Sequence, residues 1–551
     1  MSTVLAAGLP TATGLTPSNG YLHAANLPQL SLTHVTEIAN SSQTVRDWLS
    51  GHPKSHPTPA YNPTTHQWTV SYISTGPTTT QAQVIVDDRT AQIHETRTGP
   101  QVAWMMARGY WGAFGRHIND PWIWSGLCAL FLVPLLDIRR IVSWRTVDLC
   151  VLLSFSLSLI WFNNGQIFTS VPLVSPPLVY LGCRLIWIAN RRSKALGAAQ
   201  ISILGDQRLP PPSFRGWAPD WLLAAIAMLG IGLRYSLNAF DANVIDVGYA
   251  GVIGAHKIVA GAALYGHFPS DCAQCDTYGP ATYLADIPFE IFAPWSGHWD
   301  SLPAAHAAAS AFDILCILGL FVLGWRLSGQ RLGLAFAAAW ATFPFTAYAL
   351  ESNSNDALVA ALLIWGMVFF SRPLGRGILL GLAIAAKFVP ALLVVAWWRV
   401  PSGTRRNPWW YLGGLGIAAL STGWVILLGG VRGIPLFWHR TITYQVGRSS
   451  PFSLWGQHPA LHPLQLLAIG IVAAGALAVW RWPRRRDLLS VVALSGALII
   501  GLQLTMSYWF YLYIPWFLPF IFVATIPHWP PPASLSAEAA IEGAAVESDT
   551  G

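Results

Sequence analysis

The chain has 551 residues, of which 53% are hydrophobic and only 10% charged, with 28 Trp and a net charge of +7. Soluble domains carry about 25% charged residues, so this composition excludes a large water-facing surface. The positive balance does not point to nucleic acid, because Lys and Arg gather in short loops between apolar runs, as they do in the cytoplasmic loops of membrane proteins.

Residues 1–29 are small, polar and irregular and read as a disordered N-terminus without the basic start and apolar centre of a signal peptide. Either the first spanning helix carries this end across the membrane, or the true start lies upstream. Residues 30–120 read as a small extracytoplasmic α+β domain. A helix is expected over 41–49, and alternating apolar and polar residues predict strands at 67–74, 81–86 and 92–98. The aromatic stretch 102–114, with Arg108 inside it and Arg116 just beyond, reads as an amphipathic helix lying on the membrane surface.

Apolar runs of bilayer-spanning length follow. They predict eleven full spans, at 121–137, 147–162, 171–189, 220–238, 303–326, 331–349, 355–371, 409–428, 464–480, 488–506 and 509–526. The fold class is therefore an all-α polytopic membrane protein. Residues 121–219 form three accessory helices and a cytoplasmic loop, 220–526 the main module, and 527–551 a disordered cytoplasmic tail. Arg139, Arg140 and Arg145, then Arg191, Arg192 and Lys194, then Arg326 and Arg331, place alternate loops in the cytoplasm. Segment 377–398 breaks the alternation, because basic clusters flank it on both sides. Its Lys387 and Pro390 predict two short helices that enter and return, with irregular backbone lining a protein cavity. This assigns the protein to the plasma membrane, N-terminus outside and C-terminus inside.

Two outer loops, 239–302 and 429–463, hold most of the groups fit for chemistry. The first carries Asp241 and Asp246, which are candidate general bases because a carboxylate at the membrane face can accept a proton from a hydroxyl within hydrogen-bond reach. An Asp in such a loop serves equally well as a helix cap or turn former. The loop continues through Tyr249, His256, Tyr265 and DTYGPATY, which contains Asp276 and Tyr278. Cys272 and Cys275 form a C-x-x-C whose first reading is a local disulfide, since the outer compartment permits one; a zinc site would need further ligands.

Ionisable groups at membrane depth are costly and suggest function, which singles out Arg234 and Lys387. Snorkelling to the interface is the other reading of Arg234. Asp313 fits either helix packing or a cavity. The run ESNSND, with Asn353, Asn355 and Asp356, suits hydrogen bonding to sugar hydroxyls or a turn with an N-cap at Ser354 or Asn355. In the second loop, His439, Arg440, Gln445 and Arg448 lie against the positive-inside bias. Bidentate binding of phosphate by Arg is one reason for that; an interfacial Trp/Arg belt is another.

These motifs resemble GT-C fold glycosyltransferases, and among them glycosyltransferase family 87, which uses polyprenyl-phosphate-mannose. Asp246, Tyr249, Leu264–Tyr265 and Tyr278-Gly279-Pro280 match that family's first outer loop. Ser352 to Leu363 is similar to its Gly-Gln-x-Asn helix start, although the Gly-Gln is absent, and Lys387 with Pro390 matches its Lys-x-x-Pro. The resemblance, over about 220–526, implies a GT-C-like module with a polyprenyl-phosphate sugar donor and a glycan or glycolipid acceptor. It implies inversion, with Asp246 as base and Asp241 in reserve. Arg234, Lys387, Arg440 or Arg448 would stabilise the lipid phosphate. No cofactor is named, with room left for a divalent metal. A transporter or flippase of a lipid-linked saccharide is the alternative, and a non-catalytic membrane partner a third class.

Overall fold

The computed structural model describes residues 28–62, 66–73, 80–98, 117–198, 211–269, 272, 275–398, 408–447, 450–483 and 487–531. The surface helix expected at 102–114, Arg448 and most of the tail lie outside them. The chain divides into two compact units, Met1–Ala103 and Trp104–Gly551.

The first unit contains α1 (Leu32–Ser41), α2 (Gln43–Gly51) and a four-stranded antiparallel meander, β1 (His56–Asn62), β2 (Gln67–Ile73), β3 (Thr80–Asp87) and β4 (Ile93–Thr98). Alternation fixes its core. Trp68, Val70 and Tyr72 of β2 lie opposite Val86, Val84 and Ala82 of β3, all buried with Val35 and Ala39 of α1. Asp88 closes the unit by accepting from the backbone N–H groups of Gln29 and Leu30 and from Trp68 Nε1. Sequence reasoning missed α1 and β1. The latter contains Pro57 and Pro59, which suit it only to the sheet edge it occupies.

The second unit is helical. In order come α3 (Pro121–Leu135), α4 (Trp144–Asn163), α5 (Ile167–Ala198), α6 (Asp220–Phe240), α7 (Asp246–Val259) and α8 (Pro280–Phe292). Next are α9 (Pro303–Ser328), α10 (Gln330–Thr342), α11 (Pro344–Glu351), α12 (Asp356–Val368), α13 (Pro373–Ala386) and α14 (Leu393–Trp398). The last are α15 (Trp409–Gly423), α16 (His462–Ala478), α17 (Leu488–Thr505) and α18 (Ile514–Thr525). Helices α10, α11, α12, α17 and α18 are almost wholly buried and form the centre, whereas α15 and α16 present exposed Leu, Ile and Trp on the outside.

The eleven expected spans are not supported. Among the described residues, seven helices are long and apolar enough to cross a membrane, or eight if the α10–α11 pair counts as one. That pair is bent by 55°, because Phe343 is held extended before Pro344. The runs at 121–137, 355–371 and 509–526 form helices of only 15, 13 and 12 residues. Segment 377–398 does break where Lys387 and Pro390 predict: Lys387 is extended, and a 3-10 turn, Val389–Leu392, separates α13 from α14.

Candidate active site

Four stretches singled out by their chemistry are joined by hydrogen bonds, with the Asp276–Pro280 segment at the centre. On one side, Arg440 Nε donates to Asp276 Oδ2 at 2.8 Å. On the other, the Gly279 N–H and the Thr282 hydroxyl donate to the Ala386 carbonyl, the last residue before Lys387. Gly279 is required there, since a Cβ would lie 2.1 Å from the Ala385 carbonyl oxygen. Lys387 Nζ lies 5.3 Å from the centre of the Tyr278 ring and 5.1 Å from that of Trp516, within cation–π range.

Lys387 is also ion-paired with Asp356, which accepts a second bond from Trp516 Nε1 at 3.0 Å. Asp356 follows the buried loop Ser352–Asn355. The backbone of that loop reaches the first outer stretch, because the Ile245 N–H donates to the Ser352 carbonyl and Asn353 Nδ2 donates to the Asn243 carbonyl. Asn353 has φ 49°, a left-handed conformation that Asn adopts more readily than most residues. Its Oδ1 accepts from Asn238 Nδ2 at 2.8 Å. Asn355 occupies the N-cap position of α12 without capping through its side chain. Both of its amide atoms are buried and unpartnered, as is Oε1 of Glu351. Such groups carry an uncompensated desolvation cost.

Asp246 is exposed in the first turn of α7. Asp241 caps the end of α6, is 12% exposed, and accepts from the His117 N–H at 2.9 Å. Lys387 takes Asp356 as its counter-ion rather than either of these; the 352–356 loop forms the link between them.

Other expected site residues have structural partners. Arg234 is fully buried, and all three guanidinium nitrogens are engaged: with Asp313, with the Trp340 and Ala341 carbonyls, and with the Thr346 hydroxyl. It therefore locks α6 to α9, α10 and α11, with no nitrogen left over for a lipid phosphate. This also answers the question of Asp313, which pairs inside the helix bundle. Tyr249 is buried and stacks on Trp299 at 4.8 Å. Tyr265 is buried and donates to the Tyr278 carbonyl. His256 bonds Glu290 at 2.8 Å. His439 and Gln445 are exposed near Arg440, His439 on a π-helical turn, His439–Thr443. Cys272 and Cys275 form a disulfide. Among the described residues, no group of three or more His, Cys, Asp or Glu side chains is set to hold a metal ion.

Residues 277–507 match the model of glycosyltransferase family 87. The matched segment is less than half the chain and shorter than the resemblance read from sequence. It contains Tyr278, Asn353, Asn355, Asp356, Lys387 and Arg440, and it begins after Asp241 and Asp246. The match implies a glycosyltransferase, and the apolar helices make it a multi-pass membrane protein. Among curated proteins, none matches the chain.

Sequence reasoning overlooked Trp516; it read Glu351 only as part of the ESNSND run and gave Asp276 and Asp286, both visible in the outer loop, no role of their own. Asp276 stands two residues before Tyr278 and was visible in the motif. Asp286, on α8, is buried against Gly251 of α7, and burial pushes its carboxyl up to about 8.

Proposed function

We propose that the protein transfers a hexose or pentose, mannose being the first choice, from a polyprenyl-phosphate donor to an extracytoplasmic glycan or glycolipid. The reading rests on one observation: the Asp276–Pro280 segment touches both Arg440 and Lys387, while the loop before Asp356 is bonded to the residues just ahead of Asp246. A candidate base, two cations and the unpartnered amide of Asn355 thus belong to one connected region, within a chain that carries a glycosyltransferase family match.

The acceptor hydroxyl oxygen attacks the anomeric carbon as the bond from that carbon to the phosphate oxygen breaks. The hydroxyl proton passes to Asp246, which is exposed at the start of α7. The bonding electron pair leaves with the lipid phosphate, whose charge goes from one to two negative. Arg440 and Lys387 oppose that developing charge, the kind of electrostatic stabilisation that usually supplies the largest catalytic term. Attack from the face opposite the phosphate inverts the anomeric centre. Asn355 and Glu351 suit the sugar hydroxyls, which can satisfy their buried donor and acceptor atoms.

The substitution Asp246→Asn separates this reading from a flippase. The enzyme reading expects sugar transfer to fall by about 100-fold or more, with binding of the lipid donor retained. Transfer at the wild-type rate by the Asn variant would remove Asp246 as base.

A further inference from the structure

We infer that Asp276 is a positioning residue for Arg440, anchored by the Cys272–Cys275 disulfide that ends on the residue before it. The inference rests on the reading above, in that Arg440 faces the donor phosphate.

Asp276 is completely buried. Its Oδ2 accepts from Arg440 Nε at 2.8 Å and from the Gly266 N–H at 2.5 Å, while its Oδ1 is buried without a partner. An ionised carboxylate in such a place is costly without a cation, so the position strongly favours a guanidinium alongside it. Three features keep Asp276 from following Arg440 outward. Cys275 is covalently bound to Cys272, and both cysteines sit in a buried cluster with Tyr265 and Tyr283. The Tyr283 hydroxyl donates to the Cys275 carbonyl. Gly266 turns its N–H towards Asp276 through a φ of +79°, a conformation that favours glycine.

Arg440 lies on a single π-helical turn, and its side chain is 21% exposed. The carboxylate engages Nε, so it constrains the orientation of the guanidinium as well as its location. Without that contact the charge would remain with its direction less constrained, and recognition of phosphate by Arg depends on direction.

The test is binding of a polyprenyl monophosphate to purified full-length protein in detergent, with wild type, D276N, R440K and the double variant. Each single change should weaken binding by about tenfold, and the double variant should be no weaker than R440K, since coupled residues are not additive. Because D276N risks misfolding, the pair C272S/C275S provides a second probe. It should weaken binding in the wild-type background and have no further effect in R440K. Additive losses, an unchanged D276N, or wild-type protein that does not bind the lipid phosphate would overturn the inference. Sugar transfer is measured separately. A protein that binds in this pattern but moves no sugar would refute the transferase reading while leaving the role of Asp276 standing.

Discussion

Lys387 and Asp356, 31 residues apart in sequence, form a buried ion pair that joins the break after α13 to the first turn of α12. Removing one member leaves the other charge buried and unpaired, at a cost of about 3–5 kcal/mol. Lys387→Met should therefore lower the thermal midpoint in detergent and also abolish transfer. The double change Lys387→Met/Asp356→Leu should recover most of the stability and none of the activity. Recovery of both would mean that the pair serves only the fold.

Helix α7 carries Gly248, Gly251 and Gly254 at intervals of three, and each meets a different neighbour. A Cβ at Gly254 would lie 2.0 Å from the Tyr283 ring, and one at Gly248 would lie 2.2 Å from the Asn353 carbonyl oxygen. Tyr283 is buried and its hydroxyl is bonded, so its ring has little room to yield. Gly254→Ala should destabilise by about 1–3 kcal/mol. Gly470→Ala on α16, with open space at its Cβ, is the control and should not destabilise. A Gly254→Ala protein as stable as wild type would show that α7 and α8 are not packed this closely.

Arg234 and Asp313 give a contrasting case. Arg234→Ala should cost about 3–5 kcal/mol in stability. At a temperature where the variant remains folded, transfer per folded molecule should stay within about threefold of wild type, a barrier change well under the 1.4 kcal/mol of a tenfold effect. A large loss of turnover in well-folded protein would return Arg234 to the list of donor ligands.

Asp286 supplies a pH signature from α8, which is not among the spanning candidates. Its carboxyl is raised from 3.8 to about 8 by burial. Folding then takes up a proton between those values. The stability from this group is complete below its unfolded value and falls by about 1.4 kcal/mol per pH unit until pH passes the folded value. Asp286→Asn cannot titrate, so it should be more stable than wild type at about pH 8, with the difference shrinking as pH falls. Parallel pH profiles of thermal unfolding would contradict this.

The legible parts of the sequence were those set by local rules. The break at Lys387–Pro390 follows from a proline and a charge within an apolar run, and β2, β3 and β4 follow from alternation. The span count failed because composition cannot show where a helix bends or ends early. Phe343–Pro344 splits one run, and the 355–371 and 509–526 runs give helices of 13 and 12 residues. The partners of charged residues were hidden for another reason. Arg234 meets Asp313 across 79 positions and Arg440 meets Asp276 across 164, separations over which no periodicity in one sequence carries information. Arg234 therefore looked as eligible for phosphate as Arg440, and it is set aside by its burial together with the protein partners on all three of its nitrogens.

The most direct measurement gives purified protein a polyprenyl-phosphate sugar, labelled in the sugar, together with a membrane extract as the source of acceptor. The account predicts that label moves from the lipid phosphate to a new product with inverted anomeric configuration, and that the Asp246→Asn protein leaves it on the donor. Folded wild-type protein that leaves all label on the donor, across mannose, other hexoses and pentoses, would contradict it.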